Sequence, residues 1–173
     1  MEDVKKDNNS ELLPIVNDAG EVIGCATRGE CHDGAKLLHP VVHMHLFDSK
    51  GRLYLQHRPV WKTIQPDKWD TAVGGHVDYG EDVPTALQRE VREELGITDC
   101  ESRFLNSYLF ESERERELVY VYCAVYDGAV APSDELDGGR FWTIEEIKAA
   151  MGKKVLTPNF EMEFLKVMEW MNL

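Results

Sequence analysis

The sequence predicts an α+β domain in which a mixed β-sheet carries helices packed against it. Strand-like segments outnumber helical ones, and most alternate apolar and polar residues. Several of them turn back on themselves through short Gly-, Asn- or Asp-containing loops. At 173 residues and 43% hydrophobic content, the chain can bury a sizeable core as one domain.

Residues 1–10, MEDVKKDNNS, read as a loose tail, and 11–173 as a single domain. "LLPIVNDAGEVIGCATRG" reads as two short strands around an Asn-Asp-Ala-Gly turn. "VVHMHLFDSKGRLYLQHRP" reads as a second hairpin, and "WKTIQPDKWDTAVGGHVDYGED" as loop. "DVPTALQREVREELGI" has the punctuation of a helix: Asp82 to cap it, Pro84 in the first turn and Gly96 to end it. Two strands follow, "RFLNSYLF" and "LVYVYCAVY", then the loop "DGAVAPSDELDGG" and a short strand at "RFW". Thr143 and Glu146 form a capping-box pattern for a helix to about Met151. Thr157-Pro158 opens a last helix with Phe160, Phe164, Val167, Met168 and Met171 on one face. No internal repeat and no second domain is visible.

A formal net charge of −13 argues against a nucleic acid polymer as partner, because phosphate backbones require Lys and Arg. It permits a small anionic substrate, since divalent cations can sit between acid and phosphate. Cys25, Cys31, Cys100 and Cys123 show no CxxC pairing, which fits a reducing compartment. No apolar h-region opens the chain, and no run approaches the roughly 18 apolar residues that span a bilayer. A cytoplasmic protein with no membrane partner is expected.

"REVREELG", residues 89–96, crowds Glu90, Glu93 and Glu94 at spacings where a helix turns like charges toward each other. With Val83 at zero and about 100° per residue, Leu87, Val91 and Leu95 fall near about 40°, 80° and 120° and form a buried stripe. Glu90, Glu94 and Glu93 fall near about −20°, 20° and −80°, at the border of that stripe. A solvated acidic face would place them elsewhere. Unpaired carboxylates beside a core are costly, and a bound divalent cation offsets the cost. Clustered oxygen ligands suit Mg²⁺ or Mn²⁺.

Reading outward gives "GHVDYGEDVPTALQREVREELGI": Gly75, five residues, Glu81, seven residues, Arg89-Glu90-Val91, one residue, Glu93-Glu94, one residue, Gly96-Ile97. This resembles the Nudix box at every defining position. The resemblance implies the Nudix fold, an α/β/α sandwich around a mixed sheet, with the box as a loop-helix-loop that holds Mg²⁺ or Mn²⁺. It implies hydrolysis of a diphosphate bond in a nucleoside diphosphate linked to another group. By position, Glu90, Glu93 and Glu94 are then metal ligands and Glu81 lies near or on the metals. Arg89 orients the carboxylates, and the backbone of Gly75 approaches a metal. A carboxylate positions or deprotonates the attacking water, which makes Glu90 and Glu93 catalytic candidates.

A second resemblance is to isopentenyl-diphosphate isomerase, itself a Nudix-fold family. It rests on "CHDGAKLLHPVVHMHLFDSKGRLYLQHRP" and "PDKWDTAVGGHVDYGE". That enzyme holds a metal with three histidines and two glutamates; His32, His39 and His76, with Glu115 and Glu117, match those positions. The isomerase also needs a cysteine before its last histidine to move a proton on carbon. Gly74 stands there in this sequence and carries no acid or base. The resemblance therefore implies a hydrolase from the isomerase-like branch, with the isomerase as the alternative. Without it, His32 and His39 read as surface histidines, and His43 and His45 as satisfied residues on one strand face.

Arg58 ends the strand "LYLQHR", where Nudix folds often place an arginine against substrate phosphate. Lys68 and His76 are further substrate-binding candidates. Glu135 lies in the loop from which many Nudix hydrolases take a catalytic base, and otherwise reads as a solvated acid. A different-class alternative is a non-catalytic Nudix domain that senses a nucleotide. The family's habit makes a homodimer the expected assembly.

Overall fold

The computed structural model describes residues 9–173; residues 1–8 of the expected N-terminal tail lie outside the described residues. The chain forms β1 (Leu12–Val16), β2 (Val22–Thr27), α1 (Arg28–Cys31), β3 (Leu38–Phe47), β4 (Leu53–His57), β5 (Trp69–Thr71) and β6 (Val73–His76). It continues with α2 (Val83–Leu95), β7 (Ser102–Glu111), β8 (Arg116–Val125), β9 (Gly139–Trp142), α3 (Ile144–Ala150) and α4 (Pro158–Trp170).

The main sheet runs β5-β4-β3-β8-β7, with β6 beside β3 and β9 beside β4. β3 is its centre. It lies parallel to β8 from Leu38↔Arg116 to Phe47↔Val125 and antiparallel to β6 from Val41↔His76 to Met44↔Val73. The parallel pair makes the sheet mixed, as expected.

Period-two alternation sorts the core into two layers. Val42, Met44 and Leu46 of β3 pack with Ala86, Leu87, Val91 and Leu95 of α2. Val41 and Phe47 pack on the other side with Ile147 of α3 and with Phe160, Phe164 and Val167 of α4. The result is a helix–sheet–helix sandwich. The small β1–β2 sheet buries Leu13, Ala26 and Cys31 in a cluster of its own.

α2 starts and stops where its sequence says. The Asp82 side chain accepts from the Thr85 N–H at 2.8 Å, and Gly96 ends the helix at φ +67°, donating to the Arg92 carbonyl. The capping box of α3 is also present.

Three expectations need correction. The β3/β4 hairpin is splayed, meeting at Phe47↔Leu53, because β6 takes the neighbouring edge of β3 while β4 pairs with β5 and β9. The segment read as loop therefore contains β5 and β6. The one-turn helix α1 also went unread; the Thr27 side chain caps it by accepting from Glu30 N–H at 3.2 Å.

Candidate active site

Strand β6 is the hub of the site. Its four residues, Val73-Gly74-Gly75-His76, serve two clusters of ionisable side chains at once.

On the α2 side, Arg89 sits among carboxylates. Its Nε and Nη2 donate to the two oxygens of Glu81 at 2.9 Å each, and its Nη1 donates to Glu90 at 2.7 Å and to Glu93 at 3.4 Å. Nη2 also donates to the backbone carbonyl of His76 at 3.0 Å. These bonds hold the Glu81 carboxyl below its ordinary range. Glu94 accepts from the Gly74 N–H at 3.1 Å. A Cβ on Gly75 would overlap the Glu90 carboxyl, so that approach of helix to strand requires glycine.

Charge at the box is poorly compensated. Burial pushes Glu90 up to about 7 despite Arg89, with Glu93 and Asp78 adding repulsion. Burial raises Glu94 well above the usual carboxylate range, and Glu90, Glu135 and Asp70 raise it further. Glu93 stands at the rim with 55% of its side chain exposed, so Glu90 and Glu94 are the inward pair. Such a site suits divalent cations, which relieve the repulsion.

On the α4 side, His32, His39 and His76 bring ligand atoms within 4.8 Å of one another, and His39, Glu115 and Glu117 do the same. The three ring centroids are 5.2–5.6 Å apart. The His39 Nδ1–H donates to the Leu37 carbonyl at 2.9 Å, which turns the Nε2 lone pair inward. His39 Nε2 is buried without a hydrogen-bond partner, while His32 Nε2 and Glu115 Oε2 lie 3.0 Å apart. Burial lowers His39 and, further, His76, favouring the neutral imidazoles that bind metal. Burial and the neighbouring Glu115 push Glu117 up to about 7. Buried ligand atoms that converge, with His39 Nε2 left unpartnered, fit a metal ion. Cys31 does not join them: it is buried with Leu13 and Ala26, and burial pushes its thiol up to about 11.

A cavity of about 310 Å³ opens against this second cluster, with His32, Glu115, Arg58, Arg114, Asp70 and Phe110 in its wall. Arg58 lines it but also braces the following loop, donating from Nη2 to the Ile64 carbonyl at 2.8 Å and from Nε to the Gln65 carbonyl at 3.1 Å. The Lys68 carbonyl accepts from the Arg58 N–H, and Lys68 is absent from the cavity wall. Glu135 is exposed in the loop before β9, close enough to raise Glu94.

A third group escaped the sequence reading. Glu163 of α4 is 1% exposed and accepts from His43 Nδ1 at 2.8 Å, His45 Nε2 at 2.8 Å and Tyr108 Oη–H at 2.7 Å. His43 and His45 are thus satisfied sheet residues, but their partner is a buried acid. Its helical position gave little signal: relative to Phe160, Glu163 falls at about −60°, roughly 40° beyond Val167, which at about −20° is the edge of the apolar stripe.

Comparison with known proteins agrees with the fold. The NUDIX domain family model matches residues 37–160. Over 141 residues the chain is 30% identical to a protein of Mycolicibacterium vanbaalenii named isopentenyl-diphosphate Delta-isomerase, covering 78% of each. Over 135 residues it is 31% identical to a Nudix hydrolase of Pseudomonas aeruginosa described as uncharacterized, covering 78% of this chain and 79% of the other. A crystal structure from Deinococcus radiodurans superposes with a TM-score of 0.77 at 27% identity, covering 90% of this chain and 98% of that one. The chain belongs to the NUDIX domain family.

Proposed function

We propose that the chain is a metal-dependent pyrophosphohydrolase. Its substrate is a nucleoside diphosphate linked to another group, or a related organic diphosphate, and water attacks phosphorus. It is a hydrolase of the Nudix class. The observation that carries the finer reading is the Arg89 frame, which sets Glu81, Glu90 and Glu93 around the Gly74–Gly75 backbone beside Glu94.

Mg²⁺ or Mn²⁺ bound at the box would neutralise the diphosphate and lower the pKa of water. Glu81, Glu90, Glu93, Glu94 and the Gly75 backbone are the residues to hold it. Glu90 or Glu93 then positions the nucleophile, with Glu135 as a further base. Arg58, in the cavity wall, would meet the substrate, with Lys68 and His76 as further candidates, and His32, His39, His76, Glu115 and Glu117 would hold a second metal. A cytoplasmic location and a homodimer complete the reading.

Several relatives, that of Mycolicibacterium vanbaalenii among them, are named isomerases, so that alternative has a specific footing. Isomerisation needs an acid or base at carbon, and Gly74 offers none where the isomerase has cysteine. Supplying Mg²⁺ and a panel of nucleoside and organic diphosphates tests the proposal. Release of a phosphomonoester or nucleotide by wild type, reduced at least about 100-fold in Glu93→Gln, is expected. Deuterium uptake into isopentenyl diphosphate from heavy water, without hydrolysis of any panel member, would establish the isomerase instead.

A further inference from the structure

The Glu163 cluster is placed for more than holding α4 to the sheet. A buried carboxylate with two imidazoles and a phenol is seldom more stabilising than apolar side chains of the same volume. Its neighbours on the α4 stripe, Phe160, Phe164 and Val167, are apolar. The cluster also reaches the surface through His43, whose side chain is 22% exposed while Glu163 and His45 are sealed.

That open edge faces β6. His43 is the register partner of Gly74. A Cβ built on Gly74 would lie 3.4 Å from His43 Cδ2 and 3.7 Å from Nε2, so the ring edge bearing Nε2 is turned to the space that Gly74 leaves empty. Nδ1 is committed to Glu163, and Tyr108 and His45 fix Glu163 in turn. The ring is therefore held in one orientation. On its other side, Gly74 donates its N–H to Glu94 of the box. Gly74 thus touches both groups, the box through its N–H and the His43 edge through its bare Cα.

We propose that His43 is a catalytic residue that contacts the substrate, its Nε2 binding a phosphoryl oxygen over Gly74 while Glu163 fixes the ring through Nδ1. This deepens the pyrophosphohydrolase reading and rests on it for the choice of ligand. Glu163, Tyr108 and His45 act through His43 and are positioning residues.

Calorimetry of methylenediphosphonate, a non-hydrolysable diphosphate, binding the full chain in saturating Mg²⁺ tests this apart from turnover. His43→Ala should weaken binding at least about 10-fold. His43→Gln, which keeps an N–H donor, should recover part of that loss. Gly74→Ala should weaken binding at least about fivefold at unchanged melting temperature, because its methyl fits at ordinary contact distance yet covers Nε2. His57→Ala should bind as wild type. Side-chain ¹H–¹⁵N spectra of wild type, which need no variant to fold, should show His43 Nε2 shifting saturably as diphosphonate is added. Unchanged affinity in both His43→Ala and Gly74→Ala, a His43 signal indifferent to ligand, or no binding by wild type would each overturn the proposal. Turnover on the diphosphate panel is read separately. Its absence, with His43-dependent binding intact, would sink the hydrolase reading and leave this contact standing.

Discussion

Arg89 Nη2 donates to the carbonyl oxygen of His76 at 3.0 Å, while the imidazole of the same histidine lies 5.2 Å from that of His32. One residue of β6 thus ties the box carboxylates to the histidine cluster through its backbone and side chain. Lysine cannot reproduce the fork that serves Glu81, Glu90 and His76 together. Arg89→Lys should reduce turnover about 100-fold and lower unfolding free energy by about 2 kcal/mol, less than a fully buried pair because the site is partly open. Urea unfolding without divalent cation measures the second effect, and an unchanged midpoint would remove Arg89 as the frame.

Gly75→Ala probes the same frame from the strand. A methyl there overlaps the Glu90 carboxyl, so helix and strand must part or the carboxyl must leave its place. The expected cost is about 1–3 kcal/mol of stability with at least a tenfold loss of turnover. Retained activity would show that Glu90 need not approach the strand.

The box carboxylates set a pH dependence in the metal-free protein. Glu90 and Glu94 are raised in the folded state, so the unfolded chain gives up these protons first. Their contribution to stability is greatest below the ordinary carboxylate value of 4.5 and declines as pH rises, for Glu90 until about 7. Glu94→Gln should therefore be more stable than wild type at pH 8 in a chelator, with the advantage shrinking toward pH 4.5. Thermal melts across that range decide it; a destabilised Gln variant at pH 8 contradicts the assignment.

In the Glu163 cluster the histidine has the same pH sign as the box carboxylates, and the acid has the opposite one. Burial opposes charge on His43, but Glu163, with Glu117 and Asp70, outweighs it and raises the imidazole from 6.5 to about 9. The stabilisation is fully present below 6.5 and is lost as pH rises through 9. Glu163, whose carboxyl is held well below its usual range by His43 and His45 despite burial, contributes above 4.5 and loses that contribution in acid. Wild type should lose on the order of 2 kcal/mol between pH 6.5 and 9 that Glu163→Gln does not lose. Parallel slopes in the two proteins would contradict the coupling.

The three longer helices, α2, α3 and α4, were legible because their signals are local. Asp82, Pro84 and Gly96 punctuate α2, and Leu87, Val91 and Leu95 mark its buried face within a few turns. β6 was not legible. "VGGH" has little strand propensity of its own, and its pairing is set by β3, some thirty residues away in sequence. The hairpin failed for the same reason: adjacency of β3 and β4 in the chain did not reveal that β6 would intervene. In the site, the box residues follow from motif spacing. Glu163 reads as a surface charge until β3 places His43 and His45 opposite it, and the resemblance, rather than spacing, grouped His32 and His39 with Glu115 and Glu117.

Water attacking phosphorus is the claim on which the rest depends, and isotope tracing reads it directly. The chain is incubated with Mg²⁺ and the diphosphate panel in H₂¹⁸O, and products are weighed by mass spectrometry. The account predicts one ¹⁸O in a phosphoryl product at each turnover, dependent on the cation and lost in Glu93→Gln. Absence of label and of cleavage across the panel, with solvent hydrogen entering the carbon skeleton of isopentenyl diphosphate instead, would contradict it.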